Sequence, residues 1–398
     1  MQNRFRDTLS LVQTLTPVRP VLCLRPGAAR SQAKSTIRNF AGAVAYAVKS
    51  CDEPVVLAGL RDGGVRHWDI ASVAEGQAVR AIAPDGVLHF MNPVKPREAI
   101  REAHGMGVRT FAFDHPDELA KILFETSGNP DVLPVLRLGV DRGRAKLCLG
   151  GKFGAPPDLA VEMLKQAARG FTLTGRSGGA GAVPTEPRDT ARPVGITFHV
   201  GSQCEHPEAF TDATRLSLDI AERAGVVPSL IDIGGGFPAP YQGHEPDFSS
   251  CTQGALRLIR ERIPGFAGSI QCEPGRLLSA PCASVIVRVE LRRGDQLFLN
   301  DGIFGLLGEL KYLPGSHPVR ALQFAHPKAR DRGERPLQPY DLFGPTCDSM
   351  DSMPGPYFLP GDIAEGDWIE VGLAGAYSTC FKTRFNGLGL YDQVILED

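Results

Sequence analysis

The stretch VGITFHVGSQCEHPEAFTDATRLSLDIAERAGVVPSLIDIGGG, residues 194–236, decides the fold. Its first part, VGITFHVGS (194–202), is a short apolar run of β type. PEAFTDATRLSLDIAERAG then carries apolar residues at helical spacing, opening on Pro and closing on Gly. LIDIGGG (230–236) is a second apolar run. Nearly continuous apolar strands flanking a helix are what parallel strands buried on both faces require.

The same alternation extends outward, from about residue 20 to 275. Six more β-type runs are VAYAVKS (44–50), VRHWDIAS (65–72), VLHFMNP (87–93), RTFAFDH (109–115), VLPVLRLGV (132–140) and IQCEPGR (270–276). Helix-like stretches such as EGQAVRAIA, PREAIREAHGMG, PDELAKILFETS, PDLAVEMLKQAARG and GALRLIRERIP lie between them. Eight strand-helix units favour a (β/α)8 TIM-like barrel over a doubly wound sheet. Polar residues and glycines mark most strand ends: Lys49, Asp69, Asn92, His115, His199, the run Gly234, Gly235 and Gly236, and Glu273. In a barrel those ends converge on one mouth, where active sites sit.

After residue 276 the texture changes to alternating apolar and polar residues, as in VIVRVELRRGDQLFLNDG, DWIEVGLAGAYS and LYDQVILED. That is a half-exposed antiparallel sheet. PVLCLRP (20–26) is a ninth strand, which we assign to this sheet. The expected α/β architecture is a barrel over 27–278 plus a C-terminal, mainly antiparallel β domain of 279–398 that also takes residues 1–26. The N-terminal MQNRFRDTLSLVQTLTPV predicts an amphipathic helix ending before Pro17 rather than a signal peptide. TGRSGGAGAVPTEPRDTARP, about 174–193, predicts a mobile surface loop.

Composition excludes classes rather than choosing one. The net charge of −2 gives no basic surplus for nucleic acid or an acidic membrane. No apolar run approaches the roughly 20 residues of a membrane span. The 9 cysteines form no Cys-x-x-Cys pair, so a metal ribbon is not expected. Their odd number and mostly apolar settings predict reduced, buried thiols and a cytoplasmic protein.

Three features carry chemistry. Lys49 ends a buried apolar strand, where an ammonium must shift its pKa, act as a Schiff-base amine, or snorkel out of the strand end. Gly234, Gly235 and Gly236 follow the seventh strand, and Gly275 with Arg276 follow the eighth. Either glycine set alone could be a tight turn; together they suggest a backbone anion cradle where barrels commonly hold phosphate. Glu273 could be a simple ion-pair partner of Arg276, or the carboxylate that keeps a cofactor ring nitrogen protonated. A lysine, such a carboxylate and a phosphate cradle suit pyridoxal 5'-phosphate. His199, beside Gly201 and Ser202, has room to stack on its ring.

With those residues in place, the chain resembles the group IV pyridoxal-phosphate-dependent amino-acid decarboxylases, of alanine-racemase-like fold type III. The matches run in family order: YAVKS (46–50), WDIAS (68–72), NPVK (92–95), KFG (152–154), HVGSQ (199–203), GGGFP (234–238), EPGR (273–276), NDGIFG (300–305), GPTCDSMD (344–351) and GAYS (375–378). The resemblance implies that Lys49 forms the cofactor aldimine, with Asp69 the acid beside it and His199 on the ring. It places Ser202, Gly236, Gly275, Arg276 and Tyr377 on the phosphate and Glu273 on the pyridine nitrogen. It also implies a homodimer in which Cys347 and Asp348 cross into the neighbouring site, the cysteine steering protonation and the aspartate meeting the substrate's distal amine.

Asp348, where the diaminopimelate branch usually has Glu, favours the ornithine/lysine decarboxylase branch and polyamine biosynthesis, giving putrescine or cadaverine. Diaminopimelate, arginine and carboxylated polyamines are alternative substrates. A racemase or a non-catalytic regulatory homologue fits less well, because the lysine, the phosphate ligands and the Cys-Asp segment are all present. The family's second substrate aspartate falls near Tyr312 or Leu313, with Glu309 the nearest carboxylate. The cofactor-binding arginine expected before KFG is replaced by Cys148 or Leu149, with Lys146 close by.

Overall fold

The computed structural model describes residues 3–140, 143–174, 183–322 and 336–397. Eight parallel strands close into a barrel: Ala43–Ala47, His67–Ile70, Val87–Phe90, Thr110–Phe113, Leu133–Leu138, Gly195–Phe198, Leu230–Asp232 and Ser269–Cys272. Neighbours in sequence are neighbours in the barrel, and the eighth strand pairs with the first through Gln271 and Cys272. Each strand is shorter than its apolar run, because pairing stops where the chain splays into the mouth. Val48–Ser50, for example, turns into a 3-10 helix that carries Lys49.

The helix Pro207–Ala224 shows why the linking segments are helical. Pro207 occupies its first turn, and Gly225 ends it in the left-handed conformation at φ 65°. Ala209, Phe210, Ala213, Ser217, Leu218, Ile220, Ala221 and Ala224 form its buried face. Phe210 stacks on Phe237 at 4.6 Å, tying this helix to the chain just beyond the triple glycine.

A second, nine-stranded sheet stands apart from the barrel. Val21–Leu24 lies between Ala283–Arg293, antiparallel, and Asp392–Leu396, parallel. Both ends of the chain therefore meet in this mainly antiparallel sheet. The N-terminal helix, Thr8–Leu15, ends before Pro17 and buries Leu11 and Val12 against it.

The expected loop at 174–193 is described only in part. Arg169–Thr174 and Val183–Ala191 pair as antiparallel strands, so its flanks form a hairpin where composition predicted a loop. Residues 175–182 lie outside the described residues. Six cysteines are buried, but Cys148 and Cys380 are exposed together with Cys347. Cys148 follows a short strand at the barrel mouth and Cys380 lies in a four-residue helix, so neither has a core to enter. Among the described residues no helix is long and apolar enough to cross a membrane.

Candidate active site

The C-terminal ends of the first, sixth, seventh and eighth barrel strands enclose a small cavity. Ala47, Lys49, His199, Ser202, Gly236, Phe237, Glu273, Gly275, Arg276 and Tyr377 line it. Lys49 Nζ is 3.0 Å from Asp69 Oδ2. Burial works against its charge, but Asp69, Tyr377 and Glu273 outweigh this and hold the ammonium above the usual lysine range. His199 Nδ1 accepts the Gly201 N–H at 3.1 Å, which leaves Nε2 to carry the proton of a neutral ring. Burial, then the Arg137 and Lys49 charges, keep that ring neutral.

Of the three consecutive glycines expected to cradle an anion, the structure places only Gly236 on the cavity wall. Gly234 and Gly235 do not line it; they lie where neighbouring strand ends crowd together. Gly234 has φ 66°, and a Cβ there would stand 1.8 Å from the Phe198 carbonyl oxygen. A Cβ on Gly235 would stand 2.6 Å from the Glu273 carbonyl oxygen and 3.1 Å from His199 Nε2. Gly235 therefore lets the His199 ring and the Glu273 backbone close up behind the site. Gly236 has φ 112°, with 2.2 Å to the Gly201 oxygen. Only glycine lets these loops approach so closely.

Arg276 sits on the other wall. Its Nε donates to Ser202 Oγ at 3.1 Å, and its Nη1 donates to the Tyr241 hydroxyl at 3.0 Å and to Glu309 Oε2 at 2.5 Å. Its guanidinium lies 5.0 Å from the Tyr377 ring centroid. Tyr377 is a non-glycine residue in the left-handed region, φ 61°, held there by its N–H bond of 2.7 Å to the Ser50 carbonyl. That bond joins the second sheet's GAYS turn to the lysine turn.

Glu273 is buried, and its Oε1 has no hydrogen-bond partner. Burial and the nearby Asp232 and Asp69 push its carboxyl well above the usual range, against Lys49 and Arg137. Asp232 is itself pushed up to about 6, first by burial. A cationic ring nitrogen brought to Glu273 would supply a partner for the orphaned oxygen and a counter-charge for these carboxylates. The residues therefore fit a phosphorylated pyridine aldehyde: amine, ring partner and anion cradle border one cavity. When bound, that group supplies an electron sink for the bond being broken.

Residues 28–176 and 188–280 match the family described as pyridoxal-dependent decarboxylase, pyridoxal binding domain. The chain belongs to this family. It is 30% identical to the lysine/ornithine decarboxylase of Selenomonas ruminantium over 364 residues, covering 89% of this chain and 84% of that one. The arginine decarboxylase of Paramecium bursaria Chlorella virus, solved with agmatine, superposes with a TM-score of 0.79 at 25% identity, covering 97% of this chain and 98% of that one. The lysine/ornithine decarboxylase of Vibrio vulnificus, solved with cadaverine, gives 0.76 at 25%, with 99% and 100% covered. This protein is accordingly a pyridoxal-dependent decarboxylase, built as the expected TIM-like barrel with a separate, mainly antiparallel sheet.

Several expected site residues lie elsewhere in the decarboxylase fold. Cys347 and Asp348 do not line the cavity. The Cys347 N–H and thiol donate to Asn386 Oδ1 at 3.3 and 3.5 Å, and Asp348 Oδ1 accepts the Met350 N–H. Their loop is anchored by Asp351, whose carboxylate takes the Ile303 N–H at 2.8 Å and the Thr346 hydroxyl at 2.7 Å, tying GPTCDSMD to NDGIFG. Glu309, considered for the substrate amine, is instead buried on Arg276. Tyr312 is 59% exposed, and Leu313 packs with Ala239, Tyr241, Ala280 and Ala376. Lys146 pairs with Glu205 at 2.6 Å.

Sequence reasoning missed Arg137, Tyr241 and Glu75. The Arg137 guanidinium lies 5.5 Å from the Phe153 ring of KFG and acts on both His199 and Glu273. An arginine inside the apolar run VLPVLRLGV was the available signal. Glu75 accepts the Ala71 N–H at 2.7 Å, and burial pushes it up to about 7.

Proposed function

We propose that the chain decarboxylates a basic L-amino acid, ornithine to putrescine and lysine to cadaverine, at the Lys49 cavity. The observation that carries the cofactor chemistry is the convergence at one barrel mouth of Lys49 on Asp69, the unpartnered Glu273 oxygen, and Arg276 on Ser202; the likeness to lysine/ornithine decarboxylases supports the substrate class. In this reading Lys49 links to the cofactor, with Asp69 beside it and His199 on the ring face. Glu273 holds the ring nitrogen, and Ser202, Gly236, Gly275, Arg276 and Tyr377 hold the phosphate. Gly234 and Gly235 serve by letting the loop that carries Gly236 fold tightly.

A homodimer completes the site. Cys347 and Asp348 of a second copy would enter the cavity, the thiol near the reacting carbon and the carboxylate near the distal amine. Tyr312, Met350, Phe381, Phe385 and Leu388 are exposed apolar residues around this edge. Phe381 stacks on Tyr377 at 5.4 Å, so that face runs directly into the cavity wall. The units 27–278 and 1–26 with 279–398 serve as cofactor domain and partner-facing domain, in a cytoplasmic enzyme.

The test is purified protein against ornithine, lysine, arginine, diaminopimelate and a carboxylated polyamine, reading carbon dioxide and the amine. Diamine release from ornithine or lysine, abolished in Lys49→Ala together with the absorbance of lysine-bound cofactor, supports the reading. Activity confined to diaminopimelate or arginine overturns the substrate assignment.

A further inference from the structure

The barrel interior carries polar side chains on the side away from the cofactor cavity. Along the second strand, alternation puts His67 and Asp69 on one face and Trp68 and Ile70 on the other. Trp68 and Ile70 are fully buried in the main core cluster. Asp69 meets Lys49, so the face it shares with His67 is the barrel lumen. On the third strand His89 is in register with Asp69, and its ring stacks on His67 with centroids 5.3 Å apart. His67 Nδ1 and His89 Nε2 share a hydrogen bond of 3.0 Å.

Two buried atoms of this set have no hydrogen-bond partner: Asp69 Oδ1 and His89 Nδ1. They belong to registered residues on adjacent strands, whose backbones run about 4.8 Å apart. Buried polar atoms left over in this way are where ordered water is found. His67 and His89 also border a cleft of about 780 Å³ at the N-terminal mouth, with Gly42, Arg260, Phe266 and Gly268 among its walls.

We propose that His67 and His89, through one bridging water, form a proton relay from solvent in this cleft to Asp69 and Lys49. The proposal rests on the reading of Lys49 as the cofactor lysine. Replacing a carboxylate by hydrogen consumes one proton: RCOO⁻ + H⁺ gives RH + CO2. With substrate and a second copy over the C-terminal mouth, a path through the barrel lumen would return protons to Asp69 and Lys49 from the opposite side.

The transfer balances bond by bond. A solvent acid protonates His67 Nε2, and His67 gives its Nδ1 proton to His89 Nε2. His89 gives its Nδ1 proton to the water, which passes one of its own to Asp69 Oδ1. Asp69 in turn serves Lys49, 3.0 Å away. Each N–H or O–H bond broken is matched by one formed, and both rings end neutral as the opposite tautomer; reorientation resets them. Neutral imidazole, with one donor and one acceptor nitrogen, is the form this needs. Burial first, then His67, push His89 down to about 3, so it stays neutral across the working range. The groups facing the pair are Asp69 on the second strand, Thr110 in register on the fourth, and Arg260 on the cleft wall.

The test combines kinetics on the holoenzyme with a crystal structure of the apoprotein. After a single turnover, the return of lysine-bound cofactor is followed by absorbance at low buffer concentration. His67→Ala is expected to slow this return roughly tenfold or more with KM unchanged, as loss of a general acid does. Added imidazole should restore it saturably. His89→Leu should be equally slow and not restored. The apoprotein crystal should show a water between His89 Nδ1 and Asp69 Oδ1. A wild-type rate in His67→Ala, slowing that no imidazole concentration relieves, or an absent water overturns the relay. His67 is only half-buried, so its variant decides the matter even if His89→Leu does not fold. Failure of the Lys49 reading is separate: wild-type protein would then lack the lysine-bound absorbance altogether.

Discussion

Glu309 Oε2 lies 2.5 Å from Arg276 Nη1, and both side chains are almost fully buried, at 4% and 3% exposure. The carboxylate therefore occupies one edge of the guanidinium assigned to the cofactor phosphate. Burial raises the Glu309 carboxyl while Arg276 opposes it. Phosphate brings further negative charge to the same cation, so the two anions oppose each other. Glu309→Gln should bind cofactor several-fold more tightly, read by fluorescence titration. The same change should lower stability by up to about 3–5 kcal/mol, the cost of leaving a buried charge without its partner. Weaker cofactor binding with unchanged stability would contradict this account.

Asp301 gives a pH prediction with a definite sign. Burial pushes it up to about 7 from an ordinary 3.8. The native state then holds a proton that the unfolded chain releases at lower pH. Its contribution is full below the unfolded value and is lost as pH rises through about 7. Asp301→Asn removes that dependence. The stability of wild type relative to this variant should fall between about pH 4 and 7, then level off. Urea midpoints of both proteins across that range check it, and a wild-type midpoint that stays level or rises relative to the variant would refute it.

The barrel and its mouth were legible because strand ends carry a periodic, polar signature that local chemistry imposes. Lys49, Glu273 and Arg276 are each conspicuous in apolar or glycine-rich settings. The division of labour within the triple glycine was not legible. Gly235 and Gly236 look alike in sequence, and only the packed loops show one facing His199 and the other the cavity. The helix Pro26–Arg38 was missed for a physical reason. Its buried face is Ala29, Ala33 and Thr36, so it has no large apolar periodicity. It packs on Pro54–Asp62 through small residues: a Cβ on Gly63 would stand 2.5 Å from the Ala33 Cβ. The Glu309 pairing could not be read either, because it joins residues 33 apart in sequence through a burial that only the closed fold creates. His67 and His89 passed as ordinary strand residues, since register between strands is invisible in one sequence.

Sites shared between two copies predict complementation. Lys49→Ala and Cys347→Ala homodimers should each be nearly inactive. In a mixture that exchanges subunits, half the dimers are mixed, and each of these has one site with both residues intact. Activity should recover to about a quarter of wild type, as twofold symmetry dictates. No recovery, with exchange proven by tagged subunits, would mean that Cys347 acts within its own chain.

Glu273→Gln keeps the shape of the side chain and removes its charge. With carboxylate at this position, a bound cofactor's ring nitrogen is held protonated by an opposite charge in a buried setting. The amide of the variant can only offer a neutral contact, so the electron sink weakens while the phosphate and lysine contacts remain. Cofactor content should therefore stay near wild type, and kcat should fall by roughly 10²–10³-fold, the scale of losing one preorganised electrostatic partner. Glu273→Asp, which keeps the charge but draws it back, should fall between the two. KM should change little, because the proposed contact of Glu273 is with the cofactor ring rather than the substrate's distal amine. A variant that loses cofactor but retains turnover per bound cofactor would show that Glu273 serves binding alone.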